Sequence, residues 1–289
     1  MTENAKSIYG LVGYPVSHSL SPLMHNTAFK ELGIDADYRL FPLKEEELDG
    51  FFKDLCEKNS LIAGLNVTIP HKENVIKYLD GLSPYAQKTM AVNTIKISNQ
   101  RKLTGFNTDG PGFLTHLTEL GVNIEKKHIA LLGCGGAARA IISVLCLLPE
   151  RPASIRIYDV VKEKTDTLLS DLAARLDIGI VKAVGSIDDL GIDKADLLIN
   201  ATPIGMKPED PCLVDEKLLH KKMLVYDLIY NPEETKLLKL ARQKGAKASN
   251  GLGMLFFQGV LSFLHWTGLE LEKKTKDKML ANLKKGLHQ

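Results

Sequence analysis

The segment KHIALLGCGGAARAIISVLCLLP, residues 127–149, narrows most what this chain can fold into. A short apolar run enters Gly133-Cys134-Gly135-Gly136-Ala137-Ala138, and an apolar helical run leaves it and stops at Pro149. A strand turning through glycines into a helix opens a βαβ unit, and such units build mostly parallel sheets covered on both faces. Strand patterns at 154–158, 196–200, 223–228 and 246–249, with helical stretches between several of them, extend the unit. Upstream, 8–12 and 38–41 read as strands around a helix that starts at Ser21-Pro22 and stops at Gly33. A helix over 45–58, a strand over 64–68, a helix over 72–79 and a strand over 92–97 follow, then a helix from Asp109 through Leu120. Two helices, 254–266 and 270–287, close the chain. The expectation is α/β in two domains, with a boundary near residue 108 set by motifs, since no Pro-Gly-Ser linker marks it.

The glycine loop has a specific chemistry. Gly133 makes the tight turn, Gly135 lets the backbone approach a pyrophosphate, and Ala138 takes the small third position where helix and strand pack. Gly136 and Ala137 open the helix, whose first N–H groups and dipole favour phosphate. The competing reading is a glycine-rich turn without a ligand. The next strand ends at Tyr158-Asp159, 26 residues past Gly133. A carboxylate there can accept ribose hydroxyls and repels the 2′-phosphate of NADP, which favours NAD. Asp159 can instead cap the helix that follows Val161, and Lys162 and Lys164 can offset its charge.

Composition excludes several classes of function. The 37 basic and 35 acidic residues are interspersed and leave a net charge of +2, so no footprint for nucleic acid or a membrane surface emerges. No apolar run approaches the ~20 residues of a spanning helix, and the N-terminus is polar, which points to the cytoplasm. Cys56, Cys134, Cys146 and Cys212 are scattered without a CxxC pair, as expected for free thiols rather than disulfides or zinc. A small-molecule partner is expected, with no metal, and the chain as monomer or homodimer.

Hydride exchange with a ketone needs a proton donor beside the developing alkoxide, and the reverse reaction needs the same group as base. Lys72 in GLNVTIPHK lies just past the end of a strand, where α/β sheets bind ligands. A surface lysine in a first helical turn is the alternative. Asp109 in GFNTDG can pair with Lys72 and a substrate hydroxyl, or can cap the helix PGFLTHLTEL. Ser19 and Ser21 in SHSLSP can hold a carboxylate at a helix N-terminus, while Ser21 before Pro22 also reads as an N-cap. His18, His25 and His71 lack a paired-ligand motif and read as structural or exposed. Cys134, at a helix start, reads as a small residue that fits, with a lowered thiol pKa the alternative.

In order along the chain, GYPVSHSLSPLMHN, GLNVTIPHK, AVNT, GFNTDG, GCGGAARA, NATPIGM, YDLIYNP and NGLGMLFFQG resemble the shikimate dehydrogenase family over nearly the whole length. The resemblance implies an N-terminal α/β substrate domain, residues 1–108, completed by the C-terminal helices 252–289. A Rossmann-type dinucleotide-binding domain, residues 109–251, stands between them. It implies Lys72 as acid/base and Asp109 as its hydrogen-bonding partner. Ser19 and Ser21 would bind the substrate carboxylate, Thr68, Asn93, Tyr230 and Gln258 would complete the substrate pocket, and Gly251 would join the cofactor residues. NADP-using members of the family typically carry Asn-Arg-Thr after the second cofactor-domain strand. This chain has Asp159-Val160-Val161 there, which again points to NAD.

The expected reaction is reduction of 3-dehydroshikimate to shikimate, with the carboxylate on Ser19 and Ser21 and the proton from Lys72. A quinate/shikimate dehydrogenase of the NAD-using branch is the nearest rival, differing by tolerance of the extra ring hydroxyl of quinate. A non-catalytic dinucleotide sensor on the same fold is the rival of another class.

Overall fold

The computed structural model describes residues 6–287; the remainder of the N-terminal stretch read as polar, and residues 288–289 of the C-terminal helical range, lie outside them. The chain divides into two compact units, one running to Thr108 and resuming at Phe256, the other Asp109–Leu255.

The first unit holds β1 (Ser7–Gly13), α1 (Ser21–Glu31), β2 (Ala36–Pro42), α2 (Leu48–Leu55), β3 (Ile62–Val67), β4 (Gly81–Leu82), α3 (Pro84–Thr89), β5 (Thr94–Ile97) and β6 (Leu103–Phe106). The sheet order is β2-β1-β3-β5-β6-β4. The βαβ pattern gives parallel pairing of β2, β1 and β3, whereas β5 runs antiparallel to both β3 and β6. Side chains alternate across the sheet. Leu65 and Val67 pack into an apolar core with Val12, Phe52 and Ile95, while Asn66 and Thr94, directly opposite each other, share the other face.

Several local expectations change. The helix over 72–79 is instead a short 3-10 turn, Asn74–Tyr78. Its ends are pinned, with the Val92 amide on the Lys72 carbonyl and the Asp80 amide on the Leu103 carbonyl, which leaves no room for a longer helix. The helix over 45–58 splits into a 3-10 turn, Glu45–Glu47, and α2. Strands β4 and β6 are too short for their periodicity to stand out. Ser21 is not the N-cap of α1: Leu20 occupies that position, Ser21 is the first helical residue, and the Ser21 amide donates to Ser19 Oγ at 3.3 Å.

The second unit comprises α4 (Asp109–Glu119), β7 (His128–Leu132), α5 (Gly136–Leu147), β8 (Ser154–Tyr158), α6 (Lys162–Ala173), β9 (Val181–Ala183), β10 (Leu197–Asn200), β11 (Leu224–Asp227), α7 (Lys236–Gln243) and β12 (Lys247–Ser249). Its strands are all parallel in the order β12-β11-β10-β7-β8-β9. Order therefore reverses at β7, and the crevice between the carboxyl ends of β7 and β10 is the switch point where such sheets bind ligands. Asp109 opens α4 as its first residue and is buried. Inside this unit the Tyr226 phenol contacts His116 Nδ1 at 2.6 Å and accepts from the Met254 amide.

The chain re-enters the first unit through α8 (Leu252–Thr267) and ends in α9 (Lys273–Gly286). There α9 packs along α1, with Asn282 Nδ2 donating to Thr27 Oγ1 at 2.8 Å. Phe263 and Trp266 of α8 meet Phe29 and Tyr9 in an aromatic cluster. No described helix is long and apolar enough to cross a membrane.

Candidate active site

In the first unit the sequence-predicted residues gather along one sheet edge. The loop after β1 and the loop after β3 leave parallel strands side by side, and the Tyr14 amide donates to the Ile69 carbonyl at 3.0 Å. Ser19 follows on the first loop and Ser21 opens α1 at its end, while Thr68 and Lys72 lie on the second. Asn93 enters from β5, whose antiparallel course brings its start to the same edge, and the Val67 amide donates to the Asn93 carbonyl at 2.9 Å.

Lys72 is half-buried, and its carbonyl accepts the Val92 amide at 2.7 Å, so its main chain is fixed beside Asn93. Neighbouring His71 is buried, with Nε2 against the Leu43 carbonyl at 2.7 Å, a structural use of the ring. Ser21 is buried and Ser19 half-buried. Burial pushes the Tyr38 phenol far up, opposed by hydrogen bonding from the Ser21 hydroxyl, so Tyr38 stays protonated.

Asn93 has its amide orientation set by the Thr108 main chain, whose N–H donates to Asn93 Oδ1 at 2.8 Å. Its Nδ2 faces Thr108 Oγ1 at 2.9 Å and Gln258 Oε1 at 3.3 Å. Gln258 is buried on α8. Beneath this pair lies a polar cluster that sequence reasoning missed: Tyr38, Asn66, Thr94, Thr108 and Ser262, all buried. A polar residue in an otherwise apolar run, Asn66 between Leu65 and Val67 or Ser262 inside VLSFL, was the available signal.

In the second unit the cofactor candidates all follow carboxyl ends of parallel strands. Gly133 adopts φ +94, its amide donates to the Tyr158 carbonyl at 2.8 Å, and a Cβ there would lie 2.9 Å from the Ala201 carbonyl. Gly135 is exposed, a Cβ on it would meet nothing within 4 Å, and it caps α5 without a side-chain acceptor. The loop is thus open at the N-cap of α5, next to the first helical N–H groups, which fits a phosphate-bearing cofactor. Gly136 and Ala137 are half-buried beside it, and Ala138 is buried where helix and sheet pack.

Asp159 uses both oxygens on this frame. Oδ2 accepts the Cys134 amide at 2.9 Å and Oδ1 the Val161 amide at 2.9 Å. Asp159 is not the N-cap of α6, a position Val161 holds without a side-chain cap; the Asp159 carboxylate instead ties the turn before α6 to the glycine loop. Cys134 is buried with its Sγ 3.4 Å from Thr165 Oγ1, and burial pushes its thiol up, so the lowered-pKa reading is overturned. All four cysteines are free.

Tyr230 lies just past β11, half-buried, with burial raising its phenol. Gly251 packs so closely that a Cβ would sit 2.0 Å from the Leu228 carbonyl oxygen. At the end of β11, Asp227 is fully buried, accepting from Thr235 Oγ1 at 2.7 Å, Asn200 Nδ2 at 3.0 Å and the Ile229 amide at 3.1 Å. Asn200 in turn accepts the Thr202 amide at 3.0 Å and braces the loop after β10. Among the described residues no group of three or more His, Cys, Asp and Glu is placed to hold a metal ion.

Residues 11–95 match the model of the shikimate dehydrogenase substrate binding domain. Over 272 residues the chain is 43% identical to the shikimate dehydrogenase (NADP(+)) of Methanocaldococcus jannaschii, covering 92% of this chain and 94% of the relative. The crystal structure of shikimate dehydrogenase from Aquifex aeolicus superposes with a TM-score of 0.86 at 37% identity, covering 97% of this chain and 99% of that one. Shikimate 5-dehydrogenase from Listeria monocytogenes, in complex with shikimate and NAD, superposes with a TM-score of 0.85 at 32% identity, covering 96% and 97%. With these likenesses running through both units, the chain belongs to the shikimate dehydrogenase family of oxidoreductases.

Proposed function

We propose that the chain interconverts 3-dehydroshikimate and shikimate reversibly with a nicotinamide dinucleotide, NAD being preferred over NADP. The observation that carries the reading is the gathering of Ser19, Ser21, Thr68, Lys72 and Asn93 along one sheet edge, with Gln258 against Asn93. These are the hydroxyls, amides and ammonium that a polyhydroxylated ring acid requires.

Ser19 and Ser21 receive the carboxylate at the start of α1, where helix N–H groups favour an anion. Thr68, Asn93, Tyr230 and Gln258 hold the ring hydroxyls. Lys72 gives its proton to the C3 carbonyl oxygen in the reduction and takes the hydroxyl proton back in the oxidation, with Asp109 as its hydrogen-bonding partner. The bound nicotinamide supplies the hydride in one direction and accepts it in the other. Gly133, Gly135, Gly136, Ala137 and Ala138 hold the pyrophosphate, Asp159 the ribose, and Gly251 completes the cofactor's place at the same sheet edge. Asp159 supports NAD because a second negative group at that point meets a carboxylate already directed at the glycine loop.

Initial rates of nicotinamide reduction with shikimate and with quinate, each with NAD and NADP, test the reading beside a Lys72→Ala control. Shikimate turnover with NAD well above NADP, lost in the control, is expected. NADP preference sinks the cofactor assignment, quinate turnover of equal efficiency moves the chain to the dual-substrate branch, and NAD binding without turnover favours a sensor.

A further inference from the structure

The face of the first unit's sheet that meets α8 carries a run of polar side chains inside an otherwise apolar interior. Asn66 and Thr94 are register partners on β3 and β5, so the two-residue period puts both on that face. Ser262 stands opposite them on α8, four residues after Gln258.

The bonds among them are specific. Tyr38 donates to Asn66 Oδ1 at 2.8 Å, which fixes the Asn66 amide so that Nδ2 faces Ser262 Oγ at 2.9 Å and the Asn93 carbonyl at 3.0 Å. Ser262 Oγ lies 2.7 Å from Thr94 Oγ1 and donates to the Gln258 carbonyl at 2.9 Å. Thr94 Oγ1 reaches Asn93 Oδ1 at 3.0 Å. One side-chain amide and two hydroxyls therefore touch the main chain of Asn93, the side chain of Asn93 and the main chain of Gln258.

We infer that Asn66, Thr94 and Ser262 are positioning residues that hold Asn93 and Gln258 in the geometry that binds substrate. The inference rests on the reading of Asn93 and Gln258 as substrate contacts. Three polar groups in a dry interior are tolerated only when each is satisfied, and a satisfied network is rigid. Rigidity matters here because Asn93 and Gln258 come from distant parts of the chain, and the cluster sets their separation. A buried apolar packing of the same volume would support the fold but lose the bonds to the Asn93 carbonyl, to Asn93 Oδ1 and to the Gln258 carbonyl.

Thr94→Val tests this, because it removes the shared hydroxyl while keeping the shape, and Thr94→Ser restores the hydroxyl. The KM for shikimate is expected to rise roughly five- to tenfold in Thr94→Val, as for one lost neutral hydrogen bond, and to return to within about twofold of the parent in Thr94→Ser. The KM for the dinucleotide should not move in either variant. Asn93→Ala and Gln258→Ala are measured alongside. Should either raise the shikimate KM while folded Thr94→Val leaves it unchanged and only lowers the melting temperature, the cluster is merely structural and the inference falls. Should neither move the KM, the substrate-contact reading falls first and takes the inference with it. Where Thr94→Val fails to fold, Ser262→Ala is read by the same criteria, and an unchanged shikimate KM there overturns the inference.

Discussion

The Lys72 carbonyl accepts the Val92 amide at 2.7 Å, so the proposed acid/base residue is held by its main chain rather than by a helix. The same strand entry carries Asn93 one residue later, and the Val67 amide donates to the Asn93 carbonyl at 2.9 Å. Backbone bonds thus set where the lysine leaves the chain.

Removing the side chain should therefore separate chemistry from folding. Lys72→Ala is expected to keep its stability within about 1 kcal/mol of the parent, since the backbone bond survives. Its kcat should fall by roughly 10²–10⁴-fold, the range for losing a positioned proton donor. Steady-state kinetics beside a thermal melt check this, and a folded variant keeping most of its kcat would move the proton step elsewhere.

The two glycines of the dinucleotide loop predict opposite phenotypes. Gly133 has φ +94 and no room beside the Ala201 main chain, so Gly133→Ala should destabilise by about 1–3 kcal/mol through backbone strain and crowding. Gly135 has ordinary backbone angles and open space, so Gly135→Ala should leave the melt nearly unchanged. Its methyl group should still raise the dinucleotide KM where backbone meets pyrophosphate. A folded Gly135→Ala variant with an unchanged dinucleotide KM would show that the open space at Gly135 is not a ligand's.

Asp159 ties the Cys134 and Val161 amides, so its removal should loosen the loop as well as the ribose contact. Asp159→Asn keeps a single acceptor oxygen and removes the charge. We expect the NAD/NADP ratio of kcat/KM to fall by roughly tenfold, chiefly through better use of NADP, because repulsion of the 2′-phosphate is gone. A ratio that stays constant while both efficiencies fall would assign Asp159 to loop support alone.

The legible parts of the sequence were those where one local rule decides. GCGGAARA between an apolar strand and an apolar helix was readable because strand, turn glycines and helix start agree with one another. The 3-10 turn after Lys72 was not, because the Val92 and Leu103 bonds that pin its ends come from residues 20 and more positions away. Pro22 points to Ser21 as a cap, yet the N-cap lies one residue earlier at Leu20 and Ser19 takes the Ser21 amide. The cluster of Asn66, Thr94 and Ser262 could be suspected as polar residues in apolar runs, but their meeting depends on β3–β5 register and on α8 crossing that face. Such long-range pairing has no periodic trace in one sequence.

His25 offers a prediction about acid stability. It is fully buried, stacked on Tyr38 at 4.5 Å and tilted against Trp266 at 5.1 Å, and neither ring nitrogen meets a hydrogen-bonding group. Burial pushes its pKa down to about 3 from the usual 6.5, so the ring is neutral in the fold. An unfolded chain takes up a proton there as pH drops below about 6.5, and the fold does not until about 3. This contribution is fully present above pH 6.5 and is lost progressively as pH falls towards 3, by at most ~1.4 kcal/mol per pH unit. His116 and His265 are also shifted down by burial and add slope of the same sign. His25→Phe keeps an aromatic ring in the stack and removes an N–H without a partner, so its stability at pH 7 should lie within about 1 kcal/mol of the parent. Between pH 6 and pH 5, denaturant titrations should show a shallower loss in the variant, by up to ~1.4 kcal/mol per pH unit. Parallel slopes in the two proteins would mean that His25 gains its proton without unfolding, and that the stack opens to water.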